Sequence, residues 1–152
     1  MIAFVKSHFE GALRLILRPA RERQVAAVCY RKTRAGKKVL LVTSRGTGRW
    51  IVPKGWPIQG LDDPQAALQE AWEEAGVKSA DIQTDPVGHY DYDKKRSDGD
   101  VTPVQAQVYL AEVETLADSY PEDHQRERQW FTQDEAASRV KEPELKAILR
   151  DF

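Results

Sequence analysis

What the chain has little of narrows its class before any motif is read. A single cysteine, Cys29, leaves no partner for an internal disulfide and no thiol set for a zinc cluster. It fits a reducing compartment, and the cytoplasm is the expected location. Neither sign of charge is in excess: the formal net charge is −1, so no overall field favours a nucleic-acid polymer as partner. No apolar run is long enough to span a bilayer. Internal repeats and low-complexity linkers are absent from the sequence, which argues against a solenoid or a string of tethered modules. What is present, 152 residues with 41% hydrophobic and 31% charged side chains, suits one globular domain built on one core.

The chain divides at about residue 23. Residues 1–23 are basic, with Lys6, Arg14, Arg18, Arg21 and Arg23 against Glu10 and Glu22. Phe4, Phe9, Leu13, Ile16 and Leu17 give residues 4–17 a helical apolar pattern that Pro19 stops. The segment lacks the long apolar core and small-residue cleavage site of a signal peptide. A basic amphipathic segment can touch a membrane surface or a partner. Gly11 and the shortness of the apolar face favour the plainer reading, a helix packed on its own domain or on a twin subunit in a homodimer.

Residues 24–152 form the domain proper. Gln24–Arg31 and Lys37–Thr43 read as strands joined by a turn at Thr33–Gly36, with Cys29 as a packing residue in the first. Ser44–Arg49 is a loop with two glycines, and Trp50–Val52 is a short strand that Pro53 ends. Lys54–Asp63 is a turn-rich loop. Ile82–Asp93 reads as one or two strands broken near Pro86–Gly88, residues 94–100 as a charged turn, and Val104–Glu114 as an alternating strand. A polar loop over 116–126, a strand at Arg128–Thr132, and short helices at Asp134–Val140 and Glu144–Phe152 complete the chain. Mixed strands around one central helix predict a layered α/β domain.

The central helix carries the chemistry. Asp63 is a plausible N-cap with Pro64 behind it, and Gly76 is placed as the C-terminal cap after Ala75. Glu70, Glu73 and Glu74 stand at i, i+3 and i+4, one narrow sector at about 100° per residue. Leu68, Ala71, Trp72 and Ala75 lie opposite, so the expected helix buries its apolar side and displays carboxylates. Like charges at this spacing cost about 0.2–0.5 kcal/mol per pair, and a hard divalent cation removes that cost. The residues point to a magnesium-dependent site for phosphate chemistry.

Gly55 to Val77 resembles the Nudix box, G-x5-E-x7-R-E-U-x-E-E-x-G-U with U apolar. Gly55, Glu70, Ala71, Glu73, Glu74, Gly76 and Val77 match it. Leu61 stands where the first box glutamate belongs and Gln69 where the arginine belongs. The lead-in Trp50–Gly55 and the segment Arg126–Phe131 also resemble family members, most of all diphosphoinositol polyphosphate and diadenosine polyphosphate phosphohydrolases. The resemblance implies a Nudix-type α/β/α sandwich with a mixed sheet. It implies hydrolysis of a diphosphate linkage in a small-molecule polyphosphate, with Mg2+, or Mn2+ in its place, held by Glu70, Glu73, Glu74 and the backbone of Gly55. Those three glutamates are the expected catalytic residues.

The two departures have physical consequences. Glutamine can hydrogen-bond a carboxylate but cannot neutralise it, so Gln69 is expected to hold the cluster less firmly. Without a carboxylate at 61, a later acid is needed, and Glu112, Glu114, Glu122 and Asp123 are the candidates. Phosphate binding falls to Arg45, Arg49 and Lys54 before the helix and to Lys94, Lys95 and Arg96 in the charged turn, with Arg126 and Arg128 as further cations. Trp56 could cover the cleft mouth, His89 and Tyr90 could meet a ring, and His124 reads as exposed. Two rivals stand beside this reading: a nucleotide-sugar or ADP-ribose pyrophosphatase, and a low-activity domain that binds a phosphorylated ligand.

Overall fold

Strand formation starts from a period of two. Along Glu22–Thr33 (β1), Val25, Ala27 and Cys29 belong to one apolar cluster and Ala26 and Val28 to the other, and each of them is 0% exposed. A strand buried on both faces lies at the centre of a layered fold. The computed structural model describes residues 20–152, so the amphipathic helix expected over residues 4–17 lies outside the described residues.

The sheet around β1 is mixed. β2 (Gly36–Thr43) pairs antiparallel with β1 from Cys29 to Thr33, and β4 (Lys54–Gly55) pairs antiparallel at Val25 and Ala26. On the other edge β7 (Val101–Leu116) runs parallel to β1 from Glu22 to Tyr30. β3 (Trp50–Ile51) and β8 (Arg128–Thr132) pair antiparallel with β2. β5 (Val77–Ile82) and β6 (Gly88–Lys95) pair antiparallel with successive parts of β7.

Helices cover both faces. On one, α1 (Asp63–Ala75) packs Ala66, Ala67, Ala71 and Ala75 against Val25, Ala27, Cys29, Leu40 and Val42. On the other, α2 (Gln133–Arg139) and α3 (Pro143–Asp151) bring Ala136, Ala137, Leu145 and Leu149 onto Ala26, Val28, Val39 and Leu41. α3 has no side-chain cap, so packing holds it; truncating a buried leucine costs about 2–5 kcal/mol, more than a cap contributes. The result is the expected α/β/α sandwich with a mixed sheet. Among the described residues no helix is long and apolar enough to cross a membrane.

Several expectations are corrected. The N-cap of α1 is Asp62, one residue before the expected Asp63. Asp62 Oδ1 accepts from the Gln65 N–H at 2.8 Å and Gln65 Oε1 accepts from the Asp62 N–H at 3.0 Å. This capping box needs an amide three residues on, and from Asp63 that position is Ala66. Lys54–Gly55 is strand, because β1 before Cys29 has no pairing with β2 and takes β4 at Val25 and Ala26 instead. Residues 77–95 form two separate strands, and the first opens immediately after the helix. Lys94 and Lys95 are the last residues of β6, opposite Thr102 and Val101, and the turn is confined to about 96–100. Backbone pairing is indifferent to the lysine charges, and Gly99, at φ +89°, closes the reversal.

Replacing Asp62 with Ala should lower stability by about 1 kcal/mol, read as a lower urea midpoint at constant m-value. An unchanged midpoint would show that the box contributes nothing. Burial pushes the Cys29 thiol up to about 12, and the nearby Glu74 charge adds to the rise. A thiol-reactive disulfide reagent at pH 8 should therefore label Cys29 only after denaturation; fast labelling of the native protein would contradict its place in the core.

Candidate active site

The helix that carries the glutamates is fixed at both ends. The capping box holds its start. At its end Gly76 takes the left-handed conformation, φ 69°, and its N–H donates back to the last turn. Arg128 donates to the Ala75 carbonyl at 2.8 Å and lies over the Tyr120 ring. Gly76 is crowded as well: an added Cβ would meet Tyr120 at 2.4 Å.

From this platform the three glutamates enter different surroundings. Glu70 lies against Gly55, where an added Cβ would meet its carboxyl carbon at 2.3 Å, so glycine is what lets the carboxyl keep this position. Glu73 is half-buried and accepts from the Gln69 side chain at 3.1 Å. Glu74 is 3% exposed. This corrects the expectation of a fully displayed acidic face: the sector at Glu74 turns toward the sheet, while Leu68 and Trp72 are only half-buried. Four alanines bring α1 close enough to the sheet for its flank to be covered too.

Glu74 has donors on several sides. Its Oε2 accepts from the Lys54 backbone N–H at 3.2 Å, and its Oε1 lies 3.4 Å from the Arg126 guanidinium. Burial nevertheless pushes its carboxyl up to about 8, opposed by Arg126 and reinforced by a hydrogen bond with Glu70. Glu70 is also raised, by burial first; the bond to Glu74 lowers it and the Glu73 charge raises it. Lys54 is lowered, again by burial first, with Glu74 opposing. Carboxyls that have lost water and still crowd one another are a donor set for a hard cation. Among the described residues no three such side chains already converge on one point. The helical spacing keeps Glu70, Glu73 and Glu74 within side-chain reach of each other, and all three line one cavity, so the residues fit a divalent ion.

That cavity is about 770 Å³. Besides the glutamates its lining includes Arg45, Arg49, Lys54, Lys94, Lys95, Arg126 and Lys141, together with Trp56, Tyr92 and Gln24. The structure thus brings together Gly55, the three glutamates and five of the six expected phosphate-binding cations. Arg45, 62% exposed, reaches Gln125 at 3.0 Å and Glu122 at 3.7 Å. Arg49 is tied to the buried Glu142 at 3.0 Å. Lys54 and Lys94 lie over the rings of Tyr92 and Trp56, at 5.0 and 5.1 Å.

Other expected residues lie elsewhere. Arg96 is not among the lining residues; its Nε donates to Thr102 across the hairpin at 2.9 Å. Arg128 caps α1. Of the candidate later acids, Glu122 alone lines the cavity. Glu112 accepts from Tyr30 and pairs with Lys32, Glu114 lies on β7 away from the cleft, and Asp123 accepts from the Tyr120 N–H. Tyr90 is a core residue, whereas His89 and His124 are exposed. Lys141 was not foreseen, because the break between two short helices gives no sign of where it points. Glu122 had a faint signal, its i, i+4 spacing from Arg126 in an otherwise plain loop.

The chain is similar to known proteins in sequence and in fold. Over 115 residues the chain is 30% identical to Nudix hydrolase 16, mitochondrial, of Arabidopsis thaliana, covering 74% of this chain and 63% of that protein. Over 117 residues it is 29% identical to human diphosphoinositol polyphosphate phosphohydrolase 3-beta, covering 76% and 66%. The chain thus spans a little under two thirds of the length of these relatives. The crystal structure of a C. elegans Ap4A hydrolase superposes with a TM-score of 0.64 at 24% identity, over 86% of this chain and 95% of that one, a likeness of fold. The family description NUDIX domain matches residues 22–152, most of the chain, and the chain belongs to that family.

Proposed function

We propose that this chain is a divalent-metal-dependent hydrolase that cleaves a diphosphate linkage in a diphosphoinositol polyphosphate or a (di)nucleoside polyphosphate, with Mg2+ as the working ion and Mn2+ as its substitute. The observation that carries this reading is one cavity lined by a cluster of carboxylates and by several cations. The carboxylates suit a metal, and the cations suit the phosphates of a polyanion. The relatives named for diphosphoinositol polyphosphate hydrolysis support the substrate class.

Glu70, Glu73 and Glu74 would hold the ion, with Gly55 leaving room for backbone beside it. A bound divalent cation supplies charge neutralisation on the diphosphate oxygens and a template for in-line attack by water. The chain's own residues do the rest. Glu122, from the loop at the cavity edge, takes the place of the carboxylate that Leu61 lacks. Glu70, the carboxylate that lies against Gly55, is the first choice for the base, with Glu122 the second. Arg45, Lys94, Lys95 and Lys141 meet the substrate phosphates. Arg49 and Lys54 build the wall behind them. Trp56, 38% exposed at the cavity, offers a face to a nucleobase and is the feature that favours a dinucleoside polyphosphate.

Phosphate or nucleotide release should be measured with Mg2+ on a panel of diphosphoinositol polyphosphates, dinucleoside polyphosphates and ADP-ribose. Glu73→Gln with Glu74→Gln should lower turnover of the best compound by at least about a hundredfold. Equal turnover by this variant would sink the metal site, and no turnover of any compound with tight binding of one would favour a ligand sensor. Gly55→Ala gives a finer test. The Glu70 carboxyl can swing away from the new Cβ, so the melting temperature should hold within a few degrees while activity falls about tenfold or more. Full activity in that variant would mean that Glu70 does not need its place under the loop.

A further inference from the structure

α1 bears Asp63, Glu70, Glu73 and Glu74 and no lysine or arginine from Asp63 to Ala75. Three of those acids sit in the last turns, where the helix dipole is itself negative, so two unfavourable effects add. Gln69 relieves neither, since its amide is neutral and reaches Glu73 alone at 3.1 Å. A cation must come from another element.

It comes from the loop between β7 and β8. The Arg126 Nη2 lies 3.4 Å from Glu74 Oε1 and 3.1 Å from Glu122 Oε1. Its Nε donates to Glu122 at 3.2 Å and its Nη1 to the Thr43 carbonyl at 3.0 Å. Every nitrogen of the guanidinium is therefore engaged by protein, and the side chain is 9% exposed. A cation meant for substrate keeps donors free; Arg126 does not. The loop is stitched in place on both sides of it. The Ala117 N–H donates to the Gly76 carbonyl at 2.8 Å and the Glu122 N–H to the Glu73 carbonyl at 3.0 Å. The Thr43 N–H donates to the Glu127 carbonyl at 3.0 Å, and the Glu127 N–H to the Thr43 hydroxyl at 2.9 Å. These bonds tie the loop to the glutamate helix at one end and to β2 at the other.

We propose that Arg126 is the positioning residue of this site: it supplies from the 117–127 loop the charge and the planar fork that the helix lacks at Gln69, and so fixes Glu74 and Glu122 for metal binding. This rests on the metal-dependent reading above. The fork matters because one guanidinium can hold two carboxylates and a carbonyl at set angles, which an ammonium cannot.

The test measures Mn2+ binding to the full chain without substrate, by titration calorimetry or by the electron paramagnetic resonance of free Mn2+. Arg126→Met should weaken binding by about 10–100-fold, as loss of a residue that orients metal ligands does. Arg126→Lys should fall between it and wild type. Adding Gln69→Arg to Arg126→Met should recover most of the loss, while Gln69→Arg alone should change affinity less than about threefold, because the counter-charge is already present. In turnover, Arg126→Met should lower kcat with KM within about threefold. Wild-type Mn2+ affinity in Arg126→Met, a raised KM at constant kcat, or failure of Gln69→Arg to restore binding would each overturn the proposal. If Arg126→Met has no cooperative melt, Arg126→Lys decides, and unchanged Mn2+ affinity there would overturn it. Mn2+ binding by a wild type that hydrolyses none of the compounds would remove the proposed function and leave Arg126 to be judged on binding alone; a wild type that binds no Mn2+ would overturn both.

Discussion

Keeping three carboxylates together where water is scarce is the constraint on which the rest of the arrangement depends. Glu74 is buried beside the sheet and Glu70 lies against a loop, so neither can be stabilised by solvent alone. An ionised group taken out of water loses several kcal/mol unless neighbours replace that solvation. The neighbours here come from separate parts of the chain: a backbone N–H of β4, a guanidinium from the loop before β8, and the partner carboxyl itself. Their supply is incomplete, which is why both carboxyls are raised. A helix so placed is poised to gain from a cation, and the alanine face that brings it close to the sheet is what creates the need.

The helix was legible in the sequence because its signals are local. Glutamate spacing, Gly76 after the last turn and an acid before Pro64 all act within a few residues of one another. β8 was legible for the same reason, as a compact apolar-aromatic run that matches Arg128–Thr132. β4 was not, because two residues carry no period, and their strand character exists only through β1. The burial of Glu74 was hidden by the assumption that acids face water. Amphipathic patterning sorts residues by polarity, but here a carboxylate sits on the boundary of the buried side and is held by donors that no helical pattern can reveal.

The role of Arg126 was the least legible feature. In the sequence it is one arginine in a polar stretch. Only the fold brings the 117–127 loop across both the end of α1 and the end of β2. Glu122 and Arg126 arrive together on that loop, so one segment carries both an acid and a cation to a site that lacks one of each, at Leu61 and Gln69, relative to the family pattern. The paired arrival belongs to the tertiary fold, in which the chain returns from β7 to β8 past the C-terminal end of α1.

The cations around the cavity accordingly fall into two groups. Arg49 and Arg126 are bound to protein acceptors at 3.0 to 3.4 Å and are committed to holding elements together, as Arg128 is outside the cavity at the end of α1. Lys94, stacked on a tryptophan, and Lys95 and Lys141, for which no ion pair is formed among the described residues, keep donors toward the cavity. Arginines, with planar forks, do most of the fixing, while Lys94, Lys95 and Lys141, with compact charges on flexible stems, and the exposed Arg45 remain for a ligand whose phosphates need not match one geometry. On the proposed reading, retention of the metal and choice of the substrate are therefore separable. The first depends on the Arg126 guanidinium beside the glutamates, and the second on ammonium groups that form no ion pair among the described residues, so changes among the lysines can alter which polyphosphate is bound without disturbing the carboxylates that act on it.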